Sequence, residues 1–488
     1  MRNFASLEES HLGILPQDRT VECPVRRRTR DGLAPWCVPC YSPLLGMNIY
    51  RFVRIFAAAI LCAGTTWADA IPQVVDLPSQ LSLGRALAIV RNLSADVLIA
   101  QAQVSSSEGD VAMAGAMANP VFTGGYGRVL PPYDPSNCGG SGCSANQYAV
   151  GLADQAAIED SLSGKRSLRL RVAKAARAAA GLSREDALRT VEFRLKSAYV
   201  QMAQAQRALT FARQVQKSNV ETLTLFKTRF RSGAINEGDV ARIETQKLES
   251  DQAVDQAISG IEQARASLAF ILGVRGLVGD WSVDESVLDY RTSESLTGGS
   301  IEHWLRSAFE HRPDLLAQGY QRASAEAAVE LAKRQRMPDI ALSVQYTQTG
   351  SGQNAIQPPT LSFGMSLPIP VFYQQQGEIR KAEAQSDVQS LMHVKTTAQV
   401  VNDVSTAVVG LRAAKSLVER MEASLKPAAE RSLQITRTQY EKGAASLMDM
   451  LDAQRTYIAT NVEYLQDLAN YWTSVFQLEQ AVGVELYR

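Results

Sequence analysis

Four short segments of the chain alternate between apolar and polar residues. In the clearest of them, Leu361, Phe363 and Met365 alternate with serine and glycine. Alternation with a period of two over about eight to ten residues predicts β-strands with one apolar and one polar face. Such strands suit a transmembrane barrel, but a half-buried soluble hairpin alternates in the same way. The apolar positions of the other three segments are Phe122 and Tyr126; Tyr148, Val150 and Leu152; and Ile340, Leu342, Val344 and Tyr346.

Most of the remaining chain has the composition of long helices. The stretch from Ala156 to Arg231 contains no proline, and a helix of that length would extend on the order of 100 Å. Pro427 should kink or interrupt a second long helix. Apolar residues seven apart predict coiled-coil packing, although an ordinary antiparallel helix pair is an alternative. They include Leu451, Ile458, Leu465 and Trp472, and Val254, Ile261 and Leu268.

The pattern occurs twice along the chain. Asp96 to Pro120 can be laid on Asp314 to Pro338 without a gap, and Gly164 then answers Gly377. Each copy predicts a helix, two strands, a very long helix, a tight turn and a final helix. We therefore predict a first repeat over 71–273 with a hairpin at about 119–155, a connector over 274–300, and a second repeat over 301–488 with a hairpin at about 338–372.

The first seventy residues have the features of an export signal. Arg51 and Arg54 precede an apolar core, and Ala68-Asp69-Ala70 resembles a cleavage site. We predict a signal peptide over 47–70. Residues 1–46 would be sequence upstream of a mis-assigned start, the alternative being a genuine cytoplasmic extension. Cys62 follows Leu61, where lipoprotein signals need a small residue, so we do not expect a lipid there.

Four amphipathic strands in an exported chain predict assembly with further copies of the same chain if the strands lie in a membrane. No later segment reaches the ~18 uncharged apolar residues of a membrane helix. Closed transmembrane barrels begin at about eight strands, and an open edge in lipid would leave backbone groups unpaired. If the strands lie in a membrane, several chains must therefore share one barrel.

Composition argues against several other classes of function. Fifty basic residues balance fifty acidic ones, which offers no general attraction to nucleic acid. After the signal segment the only histidines are His303, His311 and His393, and no HExxH, GxSxG or phosphate-loop motif is present. The sequence predicts no enzyme, no cofactor and no metal site.

Two cysteines fall in a loop between predicted strands. Cys138 and Cys143 belong to the run Asn-Cys-Gly-Gly-Ser-Gly-Cys. In an oxidising compartment this close pair is a candidate disulfide, with two free thiols as the alternative.

Several motifs, taken in order, resemble those of the outer membrane factor family of TolC-like efflux proteins. The Pro-Ile-Pro segment is most similar to the branch that serves heavy-metal exporters of the resistance-nodulation-division class. The motifs are Gly164-Lys165-Arg166, Leu367-Pro-Ile-Pro-Val-Phe with Gly377-Glu-Ile-Arg, Tyr440-x-x-Gly443, and Asp449-Met-Leu-Asp452-Ala-Gln454.

The resemblance implies a mainly α fold with a small β part. Three chains would form a long coiled-coil α-barrel in the periplasm, continuous with a shared transmembrane β-barrel in the outer membrane. This homotrimer would passively conduct substrate received from an inner-membrane pump and a periplasmic adaptor. The alternative function is a periplasmic coiled-coil scaffold or interaction protein.

The resemblance also implies roles for residues at the helical turns. Asp449 and Asp452 would face the pore at a gate, and a ring of such carboxylates would select for cations. Tyr440 and Asp239 would latch the gate shut, although Ala445 stands where some members have a latch arginine. A solvated start of a helix is the alternative for the two acidic residues. The turns expected to contact the adaptor contain Gly233, Ala234, Gly443 and Ala444.

Overall fold

The computed structural model describes most of the chain beyond residue 76. The described residues are 77–128, 146–274, 276, 279–291, 299–349 and 357–486. The predicted extension over 1–46, the predicted signal peptide over 47–70 and the pair Cys138 and Cys143 lie outside them.

Ten helices and six strands follow one another among the described residues, and their order is nearly the same in the two halves. The strands are β1 (Gln80–Leu81), β2 (Val121–Arg128), β3 (Asn146–Ala153), β4 (Ser282–Val283), β5 (Ala341–Thr349) and β6 (Gln357–Ser366). The helices are α1 (Leu83–Leu93), α2 (Ala95–Gly115), α3 (Ala157–Leu162), α4 (Lys165–Arg231), α5 (Glu237–Ile271), α6 (Ile301–His311), α7 (Pro313–Arg334), α8 (Gln376–Arg420), α9 (Lys426–Glu441) and α10 (Leu447–Val482).

The four predicted strands are confirmed, and they form one antiparallel sheet. Its order is β2-β3-β5-β6, so β2 and β6 are its two edges. Directly paired residues share a face of the sheet. One face carries an exposed apolar row made of Phe122, Leu152, Val344 and Phe363, and the opposite face carries Thr123, Gly151, Gln345 and Ser362.

The predicted long helix is present, but it begins at Lys165 and not near Ala156, because Gly164 with φ of 79° separates it from the short helix α3. Helix α4 has 67 residues, which corresponds to about 100 Å. In the second half, α8, a π-helical turn over Met421–Leu425 and α9 follow one another without a break. Pro427 lies directly after that turn. Proline has no N–H and its ring clashes with the carbonyl four residues earlier, so the wider turn accommodates it.

The helices pack side by side in the order of the strands that they adjoin. Helix α4 packs against α2 and α7, and α7 packs against α8. Further from the sheet, α4 packs against α5 and α10, and α10 packs against α8 and α9. The seven-residue positions of α5 that were singled out, Val254, Ile261 and Leu268, are buried. No helix within the described ranges combines the length and apolar character that crossing a membrane requires.

The largest core lies around the middle of α4. The ring of Tyr199 is fully buried there, and its hydroxyl donates to Leu81 O at 2.8 Å and accepts from Asp284 N at 2.9 Å. Tyr199 thereby joins the parallel pair of short strands, β1 and β4, to the rod. The described residues of the predicted connector contribute buried Trp281 and Leu288 to the same core.

A buried ion pair connects α4 to the last helix across that core. Lys196 Nζ lies 2.6 Å from Glu479 Oε2, and both side chains are less than a tenth exposed. The ammonium also lies over the ring of Phe476, at 5.2 Å from its centroid. Glu479 Oε1 accepts from Leu486 N at 3.0 Å, so the pair also positions the chain that follows α10.

Replacing Lys196 with methionine should destabilise the protein by about 3 kcal/mol, because the carboxylate would stay buried without its cation. The double variant Lys196→Met, Glu479→Gln should recover part of that loss, because no buried charge remains. The measurement is urea unfolding followed by circular dichroism. Lys227→Met is the control, since it removes an exposed pair with Glu244 that contributes less than about 1 kcal/mol. Equal losses for Lys196→Met and Lys227→Met would contradict the prediction.

Candidate functional site

The two turns at the end of the rod farthest from the sheet have the same geometry. Gly233 and Gly443 follow α4 and α9 with φ of 74° and 75°, a conformation that favours glycine. Ala234 N donates to Arg229 O at 2.9 Å, and Ala444 N donates to Gln439 O at 2.8 Å. These bonds satisfy the last carbonyls of both helices and fix the direction in which the chain returns.

Each turn ends in a side chain that caps the next helix. Asn236 Oδ1 accepts from Asp239 N at 2.8 Å at the start of α5. Ser446 Oγ accepts from Asp449 N at 3.2 Å at the start of α10. Asp239 and Asp449 are therefore both the third residue of a helix, where a carboxylate interacts favourably with the helix dipole.

The carboxylate of Asp449 is held by its own turn. Its Oδ2 accepts from Ser446 Oγ at 2.7 Å and from Ser446 N at 3.0 Å, which completes a reciprocal capping box. The hydrogen bond from the Ser446 side chain, with that from its backbone, lowers the pKa of Asp449 below the ordinary 3.8. The stabilisation is thus present above pH 3.8 and is lost as the pH falls through the lower folded value.

Asp452 differs from Asp449 in having a free carboxylate. Among the described residues its side chain has no hydrogen-bond or ion-pair partner, and only its backbone carbonyl accepts, from Thr456 Oγ1 at 3.0 Å. Both acidic side chains are exposed, whereas Met450, Leu451 and Ala453 between and beside them are buried. The two carboxylates therefore share the exposed face of the first turns of α10.

Tyr440 and Asp239 come near each other without bonding. Within the described part of this chain they form no hydrogen bond, and Tyr440 instead stacks on Phe226 with ring centroids 5.9 Å apart. Asp239 lies 3.6 Å from Arg242. Burial raises the pKa of Tyr440, Arg229 opposes that rise and the charge of Asp239 adds to it. The latch between Tyr440 and Asp239 therefore stays a prediction.

A small apolar cluster joins the two helical hairpins just behind the turns. Phe226 of α4 and Ile243 of α5 pack with Leu447, Met450 and Leu451 of α10. Beside the cluster, a cleft of about 180 Å³ opens between α4, α9 and α10; Tyr440, Arg229 and Tyr457 are among its lining residues. The turns are therefore held together by a few side chains.

A buried polar contact next to this cluster was not predicted from the sequence. Asn219 Oδ1 accepts from Gln454 Nε2 at 2.8 Å, and Asn219 Nδ2 donates to Gln246 O at 3.4 Å. The contact connects α4 with α10 and α5. The sequence offered one signal for Asn219, which is a polar residue inside an otherwise apolar helix face. Gln454 belongs to the motif that begins at Asp449.

Comparison with known proteins identifies the family. The profile described as "Outer membrane efflux protein" matches residues 87–274 and 304–484, which is more than half of the chain. The chain belongs to this family. The matched ranges include the four strands and both glycine turns. The predicted function, an outer-membrane efflux protein with a long helical part, is thereby confirmed at the level of the family, and the scaffold alternative is set aside.

Named relatives and solved structures agree with the family. The chain is 20% identical to the cobalt-zinc-cadmium resistance protein CzcC of Cupriavidus metallidurans, over 90% of this chain and 98% of that protein. It is 24% identical to the outer membrane protein TolC of Vibrio cholerae, over 59% of this chain and 67% of that one.

Two solved structures have the same fold. CusC superposes with a TM-score of 0.68 at 15% identity, over 86% of this chain and 98% of that one. The CmeC outer membrane channel of Campylobacter jejuni superposes with a TM-score of 0.69 at 18% identity, over 82% of this chain and 85% of that one. The predicted fold class, mainly α with a small β part, is confirmed. The roles assigned to the gate, latch and turn residues stay predictions.

The capping geometry predicts different effects for the two acidic residues. Asp449→Ala removes the acceptor for Ser446 N, so amide hydrogen exchange at 446–450 should become faster. Asp452→Ala removes no hydrogen bond and should leave exchange there unchanged. Asp449→Asn, which keeps an acceptor oxygen, is the matched control and should stay close to the parent. Equal acceleration in both alanine variants would show that the cap does not hold this turn.

Proposed function

We propose that three copies of this family member form one outer-membrane duct, which conducts substrate passively and makes no chemical bond itself. An inner-membrane pump and a periplasmic adaptor would load it. The observation that carries the proposal is the four-stranded sheet, which has one exposed apolar face, one polar face and two open edges.

The apolar face suits lipid better than water. Its members lie in cross-strand rows, and Phe363 of the central row is 77% exposed. Burying such a row in hydrocarbon is favourable by roughly 25 cal/mol per Å². On the opposite face, Thr123, Gln345 and Ser362 are small or polar, as the wall of a water-filled lumen requires.

The open edges explain why one copy is not enough. In hydrocarbon the outward N–H and C=O groups of β2 and β6 would have no water to bond, which costs several kcal/mol per group. Pairing β6 of one copy with β2 of the next removes every edge. Three copies would supply twelve strands, above the minimum of about eight for closure.

The cargo that we propose is a heavy-metal cation. The match to CzcC, a cobalt-zinc-cadmium resistance protein, extends over nearly all of both chains. At the far end of the duct, three copies of Asp449 and Asp452 would form a carboxylate ring, Tyr440 and Asp239 would latch it, and the turns with Gly233, Ala234, Gly443 and Ala444 would meet the adaptor. Exposed acidic rings favour the passage of cations.

The assembly is tested by mass measurement in mild detergent, which should give three chains in protein taken from the outer-membrane fraction. Phe363→Arg should abolish this trimer, because an arginine facing lipid costs about 2–4 kcal/mol near the bilayer centre. Ser362→Arg is the matched control on the lumen face and should still assemble. A monomer that keeps its β signal, or equal behaviour of the two arginine variants, would refute the shared barrel.

The gate is tested with Asp452→Asn, which removes charge without removing a side-chain hydrogen bond. In planar bilayers we expect weaker cation selectivity and weaker block by multivalent cations from the turn side. Asp452→Glu is the control and should conduct like the parent. If Asp452→Asn selects and blocks like the parent, Asp452 is an ordinary surface residue and the gate lies elsewhere.

A further inference from the structure

The cleft beside the turns lies between two helices that do not meet. Both α4 and α9 pack against α10, but their backbones are not in close contact with each other. The cleft of about 180 Å³ opens in this gap, with Met450 and Gln454 of α10 among its lining residues. Asp449 and Asp452 of the same helix do not line it. The cleft is therefore separate from the carboxylates of the proposed gate.

Aromatic rings line the cleft towards both of its ends. Near the turns, Phe226 of α4 stacks on Tyr440 of α9 with ring centroids 5.9 Å apart. About four helical turns earlier on α4, the ring of Phe211 lies 6.3 Å from that of Tyr457 of α10. All four side chains line the cleft. A flat apolar ring bound next to Tyr440 would extend the stack that Tyr440 forms with Phe226.

The charged residues of the cleft favour an anion. Arg229 and Arg437 line it, together with the single carboxylate of Glu441. Arg437 Nε already lies 3.3 Å from Glu441 Oε1. Arg229 instead faces the hydroxyl of Tyr440, and no carboxylate of the described residues pairs with it. The Arg229 guanidinium can therefore bind a carboxylate of a ligand, for which its planar fork offers two hydrogen bonds.

The size of the cleft limits the ligand to a small molecule. An apolar cavity of about 150 Å³ can hold benzene. A cleft of about 180 Å³ therefore admits one aromatic ring that carries a small charged group. We propose that the cleft binds a small aromatic carboxylate, with its ring against Tyr440 and its carboxylate on Arg229. This ligand site lies within a single chain, so it does not depend on the three-chain duct proposed above.

The site differs in charge from the proposed cargo and would act on the helices themselves. A metal cation in the cleft would meet the positive charge of Arg229, which an aromatic carboxylate would neutralise. The bound ligand would also add contacts between α4 and α9, where their backbones stand apart. Amide hydrogen exchange in α9 should therefore become slower when the ligand is bound.

The test uses 4-fluorobenzoate as the probe, titrated against the full chain in mild detergent and followed by fluorine NMR. Micelles without protein give the blank. The parent should shift and broaden the fluorine signal in a saturable way. Arg229→Met should weaken binding about tenfold, which corresponds to the loss of one hydrogen bond to a charged group. The uncharged analogue 4-fluorobenzyl alcohol should bind the parent more weakly by a similar factor.

Arg431→Met is the matched control, because Arg431 is exposed on α9 but does not line the cleft. This variant should bind the probe like the parent. Thr222→Trp places an indole in the cleft one turn before Phe226 and should abolish binding while every charge is kept. Circular dichroism checks that each variant is folded.

Three results would each overturn the proposed ligand site. They are no saturable shift with the parent, equal affinities of Arg229→Met and Arg431→Met for the probe, and equal affinity of the parent for the carboxylate and the alcohol. Unchanged binding by folded Thr222→Trp would place the ligand outside the cleft and would overturn it as well. None of these results bears on the duct, whose test is the mass of three chains.

Discussion

The constraint on which the architecture depends is that a sheet placed in hydrocarbon cannot end in an open edge. Four strands with an apolar and a polar face are present, and the outer edges of β2 and β6 are unpaired among the described residues. Backbone groups in lipid must find partners within protein, so the edges must pair with another copy. For a sheet that lies in the membrane, oligomerisation thus follows from the requirement that its edge groups form hydrogen bonds.

The internal repeat already joins two such hairpins within one chain. Within one chain, the end of the first hairpin is already fastened to the start of the second. Asp154 N donates to Leu342 O at 2.9 Å, and Lys165 Nζ donates to Met337 O at 2.7 Å and to Asp339 Oδ1 at 2.6 Å.

The opposite end of the rod is built differently. There the two hairpins are joined by a small apolar cluster and by the contact of Asn219 with Gln454, while the large core lies near the middle of α4. The second long helix also contains a π-helical turn at 421–425, whereas the first is α-helical throughout. Few buried apolar contacts are a property of a region that opens at low cost, as a gate at this end would need.

The sequence by itself determined the local features of this protein. A period of two indicated the strands and their faces, the absence of proline indicated the long helix, and the matching glycines Gly233 and Gly443 indicated the turns. These features depend on backbone preferences and on which side of one element meets water. Both are determined by residues that are close together in the sequence. The repeat alignment even identified which helix faces are equivalent, although not which of them are covered.

Only the tertiary structure decided the contacts between distant parts of the chain. The pairing of Lys196 with Glu479, the buried Asn219 beside Gln454 and the cap that binds Asp449 but leaves Asp452 free could not be assigned from periodicity. Nor could the sequence tell that Tyr440 stacks on Phe226 and forms no bond with Asp239 within the described chain. Such contacts depend on how several helices are placed together, because each partner is chosen by distance and burial in three dimensions.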